Sequence, residues 1–241
     1  MIGSRPAPRR PVRDEPERPF WISFADLMTA LMVLFLVVMG VALLAVTRTA
    51  SERERAQETH RQDIDAVLDR FVQAAREYDG VEVDRERRVI DFGERARFPF
   101  GKSTLTPEQE SLLRRFVPRI IALADDPQGQ RVVKRLVVEG YTDSAGTYLG
   151  NLDLSLRRSE RVLCAMFATS GPALLDDAQK DAVRRLFLIG GYSSNSARAS
   201  PEASRRVEMR LEFLGVGETR PAAQVAADTS AGGFGECALG S

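Results

Sequence analysis

The hydrophobic pattern divides this chain into one long apolar run near the N-terminus and a mixed region behind it. Residues 20–46 read FWISFADLMTALMVLFLVVMGVALLAV and contain a single ionisable side chain, Asp26. Residues 27–46 alone would form a helix of about 30 Å, which matches the hydrocarbon thickness of a bilayer. The run is longer than the apolar part of a secretory signal, and no convincing cleavage site follows it. The pattern therefore predicts an uncleaved transmembrane helix over residues 20–46.

Behind the predicted span, residues 47–80 are expected to form a helical linker. Its first part is strongly charged. Apolar side chains then recur at helical spacing, namely Ile64, Val67, Leu68, Phe71, Val72 and Ala75. This apolar face requires a partner surface, either the domain that follows or the same helix of a second chain. Packing within its own domain is the commoner outcome.

From residue 81 to residue 214 the pattern predicts a compact α/β (α+β) domain. Strand signals lie at residues 81–84, 89–92, 132–139, 185–190 and 207–213. A helix is expected from Thr106 and Pro107 to about residue 124, with Pro at its first position, and another over residues 154–168. The main order, β-β-α-β-α-β with four main strands, implies helices packed on one side of a mixed sheet.

The composition predicts a tail at each end of the chain and argues against nucleic acid as a partner. Residues 1–19 interleave arginine with proline, which predicts a disordered cytoplasmic tail, and residues 215–241 predict a loosely ordered C-terminal tail rich in Gly and Ala. The arginines before the span favour a cytoplasmic N-terminus, although others follow it closely. Because 34 basic residues balance 34 acidic ones, no global field draws the chain to nucleic acid.

Asp26, at the front of the span, is the first candidate for chemistry. A carboxylate at such a depth costs roughly 2.5–3.5 kcal/mol unless a partner or water compensates it, so such residues usually mark ion paths or ion pairs. A low-dielectric site favours the protonated form, which allows proton uptake and release near physiological pH. Ser23 and Thr29 share the Asp26 face and could hydrogen-bond it or help to bind a cation. The alternative is a boundary residue that reaches back to the headgroups, for which Asp is short.

A second candidate site follows the strand predicted over residues 132–139. The strand breaks at Gly140 and places Thr142 and Asp143 in the next loop. Arg158 is expected in the first turns of the following helix, with Asp153 or Ser155 as the cap. A fixed carboxylate would then stand beside a fixed guanidinium, which suits a zwitterionic ligand. An ordinary loop-to-helix salt bridge is the alternative that the residues leave open.

The other reactive side chains are few. Cys164 and Cys237 are compatible with a disulfide in an oxidising compartment, and two unpaired thiols are the alternative. His60 is the single histidine and lies in a charged helical stretch, which does not favour a metal site. Without a Ser-His-Asp or Cys-His arrangement the chain is not predicted to be an enzyme, and no cofactor is expected.

Residues 81–214 resemble the peptidoglycan-binding domain of the OmpA and MotB families. The family pattern G-H-T-D and then N-x-x-L-S-x-x-R corresponds to GYTD at residues 140–143 and NLDLSLRR at residues 151–158. The patterns N-R-R-V-E and F-x-x-G-x-x-x-L correspond to residues 204–208 and 98–105. The resemblance implies that Asp143 and Arg158 hold the diaminopimelate group of the peptidoglycan peptide. It implies further binding residues at Thr142, Asn151 and Arg206.

Three positions depart from the family pattern. Tyr141 replaces the usual His, Ser204 replaces Asn, and Pro99 stands where an Asp often follows the Phe. Pro99 takes away both a carboxylate and a backbone N–H, so one ligand contact is left open and weaker binding is expected.

Residues 21–32, WISFADLMTALM, resemble the A-D-x-M-T-A-x-M signature of MotB-type stator subunits. The resemblance implies a single-pass homodimer in the bacterial inner membrane, with a cytoplasmic N-terminus and a periplasmic C-terminal domain. Its two helices would sit inside a pentameric ring of MotA-like partner subunits, and ion flow through Asp26 would turn that ring. A proton is the expected ion, and Na⁺ remains open.

The short spacing between span and domain separates this chain from typical flagellar MotB. In outline the whole chain resembles the MotB-like subunits of the Zorya anti-phage defence system, with a short basic tail, a span with Asp and a compact OmpA-like domain. The sequence thus predicts an ion-driven motor subunit anchored to peptidoglycan. The alternatives are a flagellar-type stator subunit and a passive wall-tethering membrane protein.

Overall fold

A computed structural model describes residues 20–220 together with Phe234, Gly235 and Cys237, and describes residues 20–23 by their backbone only. The predicted tail over residues 1–19 lies outside the described residues, as does most of the tail predicted over residues 215–241. The chain divides into two compact units, one up to Arg55 and one from Ala56 onwards.

The first helix, α1, spans Phe20–Ala75. Within the described chain it is the one helix that is long and apolar enough to cross a membrane, judged by length and composition. Its polar side chains bond within the helix, since the Thr29 hydroxyl donates to the carbonyls of Ala25 and Asp26 at 2.9 Å, and the Thr47 hydroxyl donates to that of Leu43 at 3.0 Å. Such internal bonding lets threonine lie in a hydrocarbon environment without an unsatisfied hydroxyl.

The second unit is built on a five-stranded mixed sheet. Its strands are β1 (Glu82–Asp84), β2 (Val89–Asp91), β3 (Val133–Gly140), β4 (Phe187–Gly191) and β5 (Val207–Phe213). Their order in the sheet is β1-β2-β5-β3-β4, with β5 antiparallel to both β2 and β3, and β4 parallel to β3. The predicted fold class is confirmed, and the sheet has one strand more than the predicted main order.

Helices connect these strands. They are α2 (Pro107–Asp125), the short α3 (Gly129–Val132), α4 (Tyr148–Met166), α5 (Asp177–Leu186) and the short α6 (Pro201–Ser204). The start of α2 is the predicted one: the Thr106 hydroxyl accepts from the Gln109 backbone N–H, and the Gln109 side chain accepts from that of Thr106 at 2.8 Å. The predicted order lacks α5, which begins with the same device between Asp176 and Gln179.

The predicted start of α4 at residue 154 is wrong. The helix begins at Tyr148, and its cap is Thr147, whose hydroxyl accepts from the Gly150 backbone N–H at 3.2 Å. Neither Asp153 nor Ser155 is the cap. Gly150 is disfavoured inside a helix by about 1 kcal/mol relative to Ala, so the first turn carries a sequence signal typical of a loop.

The hydrophobic core of the second unit includes the C-terminal part of α1. Its apolar face is buried in one cluster with the inner face of the sheet and with α2, through Ile64, Val67, Leu68, Phe71, Ala74 and Ala75. This face therefore packs within its own domain. The His60 ring Nε2 also lies 2.8 Å from the carbonyl oxygen of Leu214, just beyond β5.

The other face of the sheet carries a buried pair of like charges. Side chains alternate along a strand, so Glu139 and Glu208 point away from the core residues beside them, and they are directly opposed on β3 and β5. Arg210 donates to both Glu139 oxygens at 2.6 and 2.9 Å, and Arg87 donates to both Glu208 oxygens at 3.3 and 2.6 Å. Opposed like charges destabilise a sheet, and the arginines neutralise them.

We expect Glu208 to make stability depend on acid pH. Burial raises its pKa, but hydrogen bonds and charge from Arg87 and Arg206 outweigh burial, so the pKa lies below its usual value. A carboxyl with a depressed folded pKa stabilises the fold above its unfolded pKa, and this stability is lost as the pH falls through the folded value. Urea unfolding of the detergent-solubilised chain from about pH 7 to about pH 3 should show a shallower acid loss for Glu208→Gln.

Glu212→Gln is the matched control, because Glu212 lies on the same strand and face but its ion pair with Arg135 is partly exposed. It should keep the wild-type acid dependence. An unchanged acid slope in Glu208→Gln would contradict the assignment of this dependence to Glu208.

The structure joins Cys164 of α4 to Cys237 by a disulfide across a sequence separation of 73. The neighbouring Phe234 ring also lies 5.1 Å from that of Phe167. Closing a loop of this length restricts the unfolded chain, so the paired variant Cys164→Ser/Cys237→Ser should lose about 2–4 kcal/mol of unfolding free energy. Reducing agent should destabilise the wild type equally and leave the variant unchanged. Two free thiols in mass mapping of the unreduced protein would refute the bond.

Candidate functional site

The candidate site forms where β3 ends against α4. At Gly140 an added Cβ would lie 1.9 Å from the carbonyl oxygen of Ser155, so only glycine allows α4 to approach the strand this closely. Thr142 and Asp143 follow directly. This contact brings the loop after β3 beside the middle of α4.

The Asp143 carboxylate is held in a fixed position. It is 6% exposed. One oxygen accepts from the Ala145 backbone N–H at 3.1 Å, and the other accepts from Nη1 of Arg205 at 2.8 Å. The Asn151 side-chain amide donates to the carbonyls of Asp143 and Ala145 at 3.3 and 3.0 Å. Asn151 therefore fixes the loop that presents the carboxylate.

The Arg158 guanidinium is fully buried, with 0% exposure. It donates to three backbone carbonyls, those of Tyr141 at 2.6 Å, Lys102 at 2.9 Å and Pro99 at 3.3 Å, and it lies 5.0 Å above the Phe98 ring. Burial lowers its pKa to about 10, against the opposing influence of Asp143. The side chain thus stays cationic at neutral pH. Pro99 accepts from Arg158 through its backbone carbonyl, and this group is present whether the position holds Pro or Asp.

The structure corrects the predicted arrangement of these two side chains. Arg158 stands in the middle of α4, because the helix begins at Tyr148. Asp143 forms its salt bridge with Arg205, so the pairing partner comes from the segment before β5. The family resemblance predicts Arg206 as a site residue but does not single out Arg205, which forms the salt bridge with Asp143. The position of Arg205 in the same motif, residues 204–208, is the sequence feature that could have identified it.

Thr142 adds an unpaired polar atom to the site. Its backbone N–H donates to the carbonyl of Ser193 at 2.9 Å. Its hydroxyl is buried and has no hydrogen-bond partner within the described structure. A buried hydroxyl without a partner costs about 1–3 kcal/mol, so it is a natural point for a ligand to bind.

Arg206 packs against Tyr141, the residue before Thr142 in the loop after β3. It is 3% exposed, and its Nε donates to Glu208 at 2.7 Å. Its guanidinium lies 4.3 Å from the centre of the Tyr141 ring, and the Tyr141 hydroxyl donates to Glu139 at 2.7 Å. Tyr141, at the usual His position of the family, thereby joins the loop after β3 to the charged face of the sheet.

Asp26 and Thr29 lie together on the exposed surface of α1. The Thr29 hydroxyl bonds to the backbone carbonyl of Asp26 and leaves the carboxylate free of that contact. The side chain of Ser23 lies outside the described residues. Among the residues that the structure does describe, no three His, Cys, Asp or Glu side chains are grouped to hold a metal ion.

Comparison with known proteins gives consistent relatives. Residues 97–232 match the OmpA family. The chain is 41% identical over 223 residues to Zorya protein ZorB of Escherichia coli O139:H28 (strain E24377A / ETEC), covering 91% of each chain. It is 26% identical over 219 residues to Zorya protein ZorB of E. coli ATCC 8739 (Crooks), covering 83% of this chain and 90% of that one.

A solved structure of the periplasmic domain of MotB is similar with a TM-score of 0.38 and 15% identity, over 53% of this chain and 64% of that chain. The identity of 41% to the first ZorB relative holds over 91% of this chain. The chain is therefore a member of the Zorya ZorB family and carries an OmpA-family domain.

Proposed function

We propose that this chain is an ion-driven motor subunit of MotB/ZorB type, anchored to peptidoglycan and acting in anti-phage defence in the bacterial inner membrane. The observation that carries the anchoring role is the grouping of Arg158, Asp143 and the unpaired Thr142 hydroxyl at one strand end. Opposite charges held a fixed distance apart suit a ligand that is itself zwitterionic. Diaminopimelate, with an ammonium and a carboxylate on its side chain, is such a ligand.

Each part of the site has a role in this proposal. A guanidinium has five N–H donors. Arg158 uses three in the bonds described above, so at least two are available to a ligand carboxylate. Asp143 would hold the ammonium, and the Thr142 hydroxyl would take a further polar contact. Asn151 and Arg206 would position the loop and Tyr141.

Arg158 is covered by the segment that contains Pro99 and Lys102. A ligand carboxylate reaches the guanidinium only when this segment moves outwards. The adjoining Phe100 is 68% exposed, so the segment has little packing on its outer side to hold it closed. We expect ligand binding to be coupled to this movement.

The membrane part of the proposal rests on Asp26. As a homodimer, two α1 helices would present two carboxylates to a surrounding ring of five ZorA/MotA-like subunits. One charge that falls through the membrane potential yields about 2.3 kcal/mol per 100 mV, enough to bias a conformational step. A proton is the proposed ion, with Na⁺ as the other candidate. The N-terminus would be cytoplasmic and the OmpA-family domain periplasmic.

Wall anchoring and ion flow belong to one mechanism in this proposal. Rotation of a ring does work only if the central element is held still. A domain bound to peptidoglycan supplies that restraint. A flagellar-type stator would use the same parts, whereas a passive tether would use the outer domain alone.

Loss of the Asp143 carboxylate should weaken wall binding. Asp143→Ala removes the carboxylate that would hold the ligand ammonium and leaves the Arg205 cation beside it, so binding of the detergent-solubilised chain to purified sacculi should fall about tenfold. Asp153→Ala is the control, since Asp153 is an exposed carboxylate on the same stretch of chain, paired with Arg157. Equal sedimentation of Asp143→Ala and wild type with sacculi would remove Asp143 from the site.

Replacement of Asp26 should distinguish an ion-driven motor subunit from a passive tether. Asp26→Asn keeps the size of the side chain but cannot ionise, so phage protection should be lost while the protein still inserts and co-purifies with its membrane partner. Glu52→Gln, which removes an exposed carboxylate further along α1, should keep protection. Full protection by Asp26→Asn, measured as plaque counts, would favour the passive tether.

A further inference from the structure

We propose that Arg205 is a latch on the ligand site, which pairs with Asp143 and must turn to Glu202 before Asp143 accepts the ammonium of the ligand. This inference concerns the proposed peptidoglycan site and rests on that function. It assigns to Arg205 the control of binding strength.

The Arg205 guanidinium connects two carboxylates. Nη1 donates to Asp143 at 2.8 Å and Nη2 donates to Glu202 at 3.2 Å. The Asp143 side of this fork is nearly enclosed, with side-chain exposures of 13% for Arg205 and 8% for Asp143, whereas the Glu202 side chain is 62% exposed. The inner pair closes the site, and the outer carboxylate offers the guanidinium a second position in solvent.

The ligand ammonium and the Arg205 guanidinium compete for the same Asp143 carboxylate. An ion pair between the ligand ammonium and Asp143 replaces the one that Arg205 already makes, so the ligand gains only the difference between the two. Rotation towards Glu202 keeps one ion pair for Arg205, which reduces the cost of release. The strength of ligand binding therefore depends on how Arg205 divides between its two carboxylates.

Arg205 also holds the segment that covers Arg158. Its Nε donates to the carbonyl of Phe98 at 3.2 Å, and its own carbonyl accepts from the Phe98 backbone N–H at 2.9 Å. Pro99, the next residue, is bonded to Arg158. Release of the Arg205 side chain thus frees Asp143 and loosens the cover of Arg158 together. One movement prepares both charges for a zwitterion.

Two substitutions with opposite expected effects test the latch. Arg205→Gln removes the competing cation and should bind purified sacculi about tenfold more tightly than wild type. Glu202→Gln removes the outer position, leaves Arg205 on Asp143 and should bind severalfold more weakly. Arg157→Gln, a partly exposed arginine paired with Asp153, is the control and should bind as wild type. All four proteins are compared as full chains in detergent.

The outcomes separate the latch from the proposed function. If wild type binds and Arg205→Gln binds equally or more weakly, the latch is overturned and Arg205 is a positioning residue for Asp143. If no variant binds, Arg205→Gln included, the peptidoglycan site itself fails. Binding by Arg205→Gln alone would support a latch that is closed in the wild type.

Arg205→Lys provides a second variant if Arg205→Gln does not fold. Lysine keeps the positive charge but lacks the fork that reaches both carboxylates and the Phe98 carbonyl. It should bind sacculi more tightly than wild type. Weaker binding by Arg205→Lys, with a wild-type melting temperature, would contradict the latch.

Discussion

A buried guanidinium is the constraint on which the OmpA-family domain depends. Arg158 has no solvent exposure, so its charge must be satisfied by the protein, and three carbonyls from two segments do this. An unpaired charge at that depth costs several kcal/mol. The positions of Pro99, Lys102 and Tyr141 are therefore linked to one side chain of α4. Gly140 makes the link possible by letting the helix approach the strand.

The same constraint extends through Tyr141 to the opposite face of the sheet. The Tyr141 carbonyl accepts from Arg158, its ring packs against the Arg206 guanidinium, and its hydroxyl donates to Glu139. Two opposed glutamates and their arginines then form a charged layer where many sheets are solvated. The candidate site is thus supported by a continuous set of polar contacts. Strands and helices hold its side chains, which suits a preorganised site.

Short sequence patterns predict many of the helices and strands, but they do not predict which distant residues pair in the fold. The long N-terminal helix, the α2 cap at Thr106 and the strand before Gly140 follow from short patterns, and the structure contains each element. The start of α4 at Tyr148 does not follow from such patterns, because Gly150 in its first turn is disfavoured inside helices. Arg205 was missed because its contact with Asp143 joins residues 62 positions apart. Family resemblance supplied Arg158, but not the carbonyls that hold it.

The Arg158 side chain can be followed directly during ligand binding. The full chain is labelled with ¹⁵N-arginine, and the Nε–H resonance of Arg158 is assigned by its loss in Arg158→Lys. A soluble peptidoglycan fragment that contains diaminopimelate is then added. We predict a saturable shift of this resonance, because the carboxylate of the ligand binds the same guanidinium. Saturable binding of the fragment that leaves the Arg158 resonance unmoved would contradict this prediction.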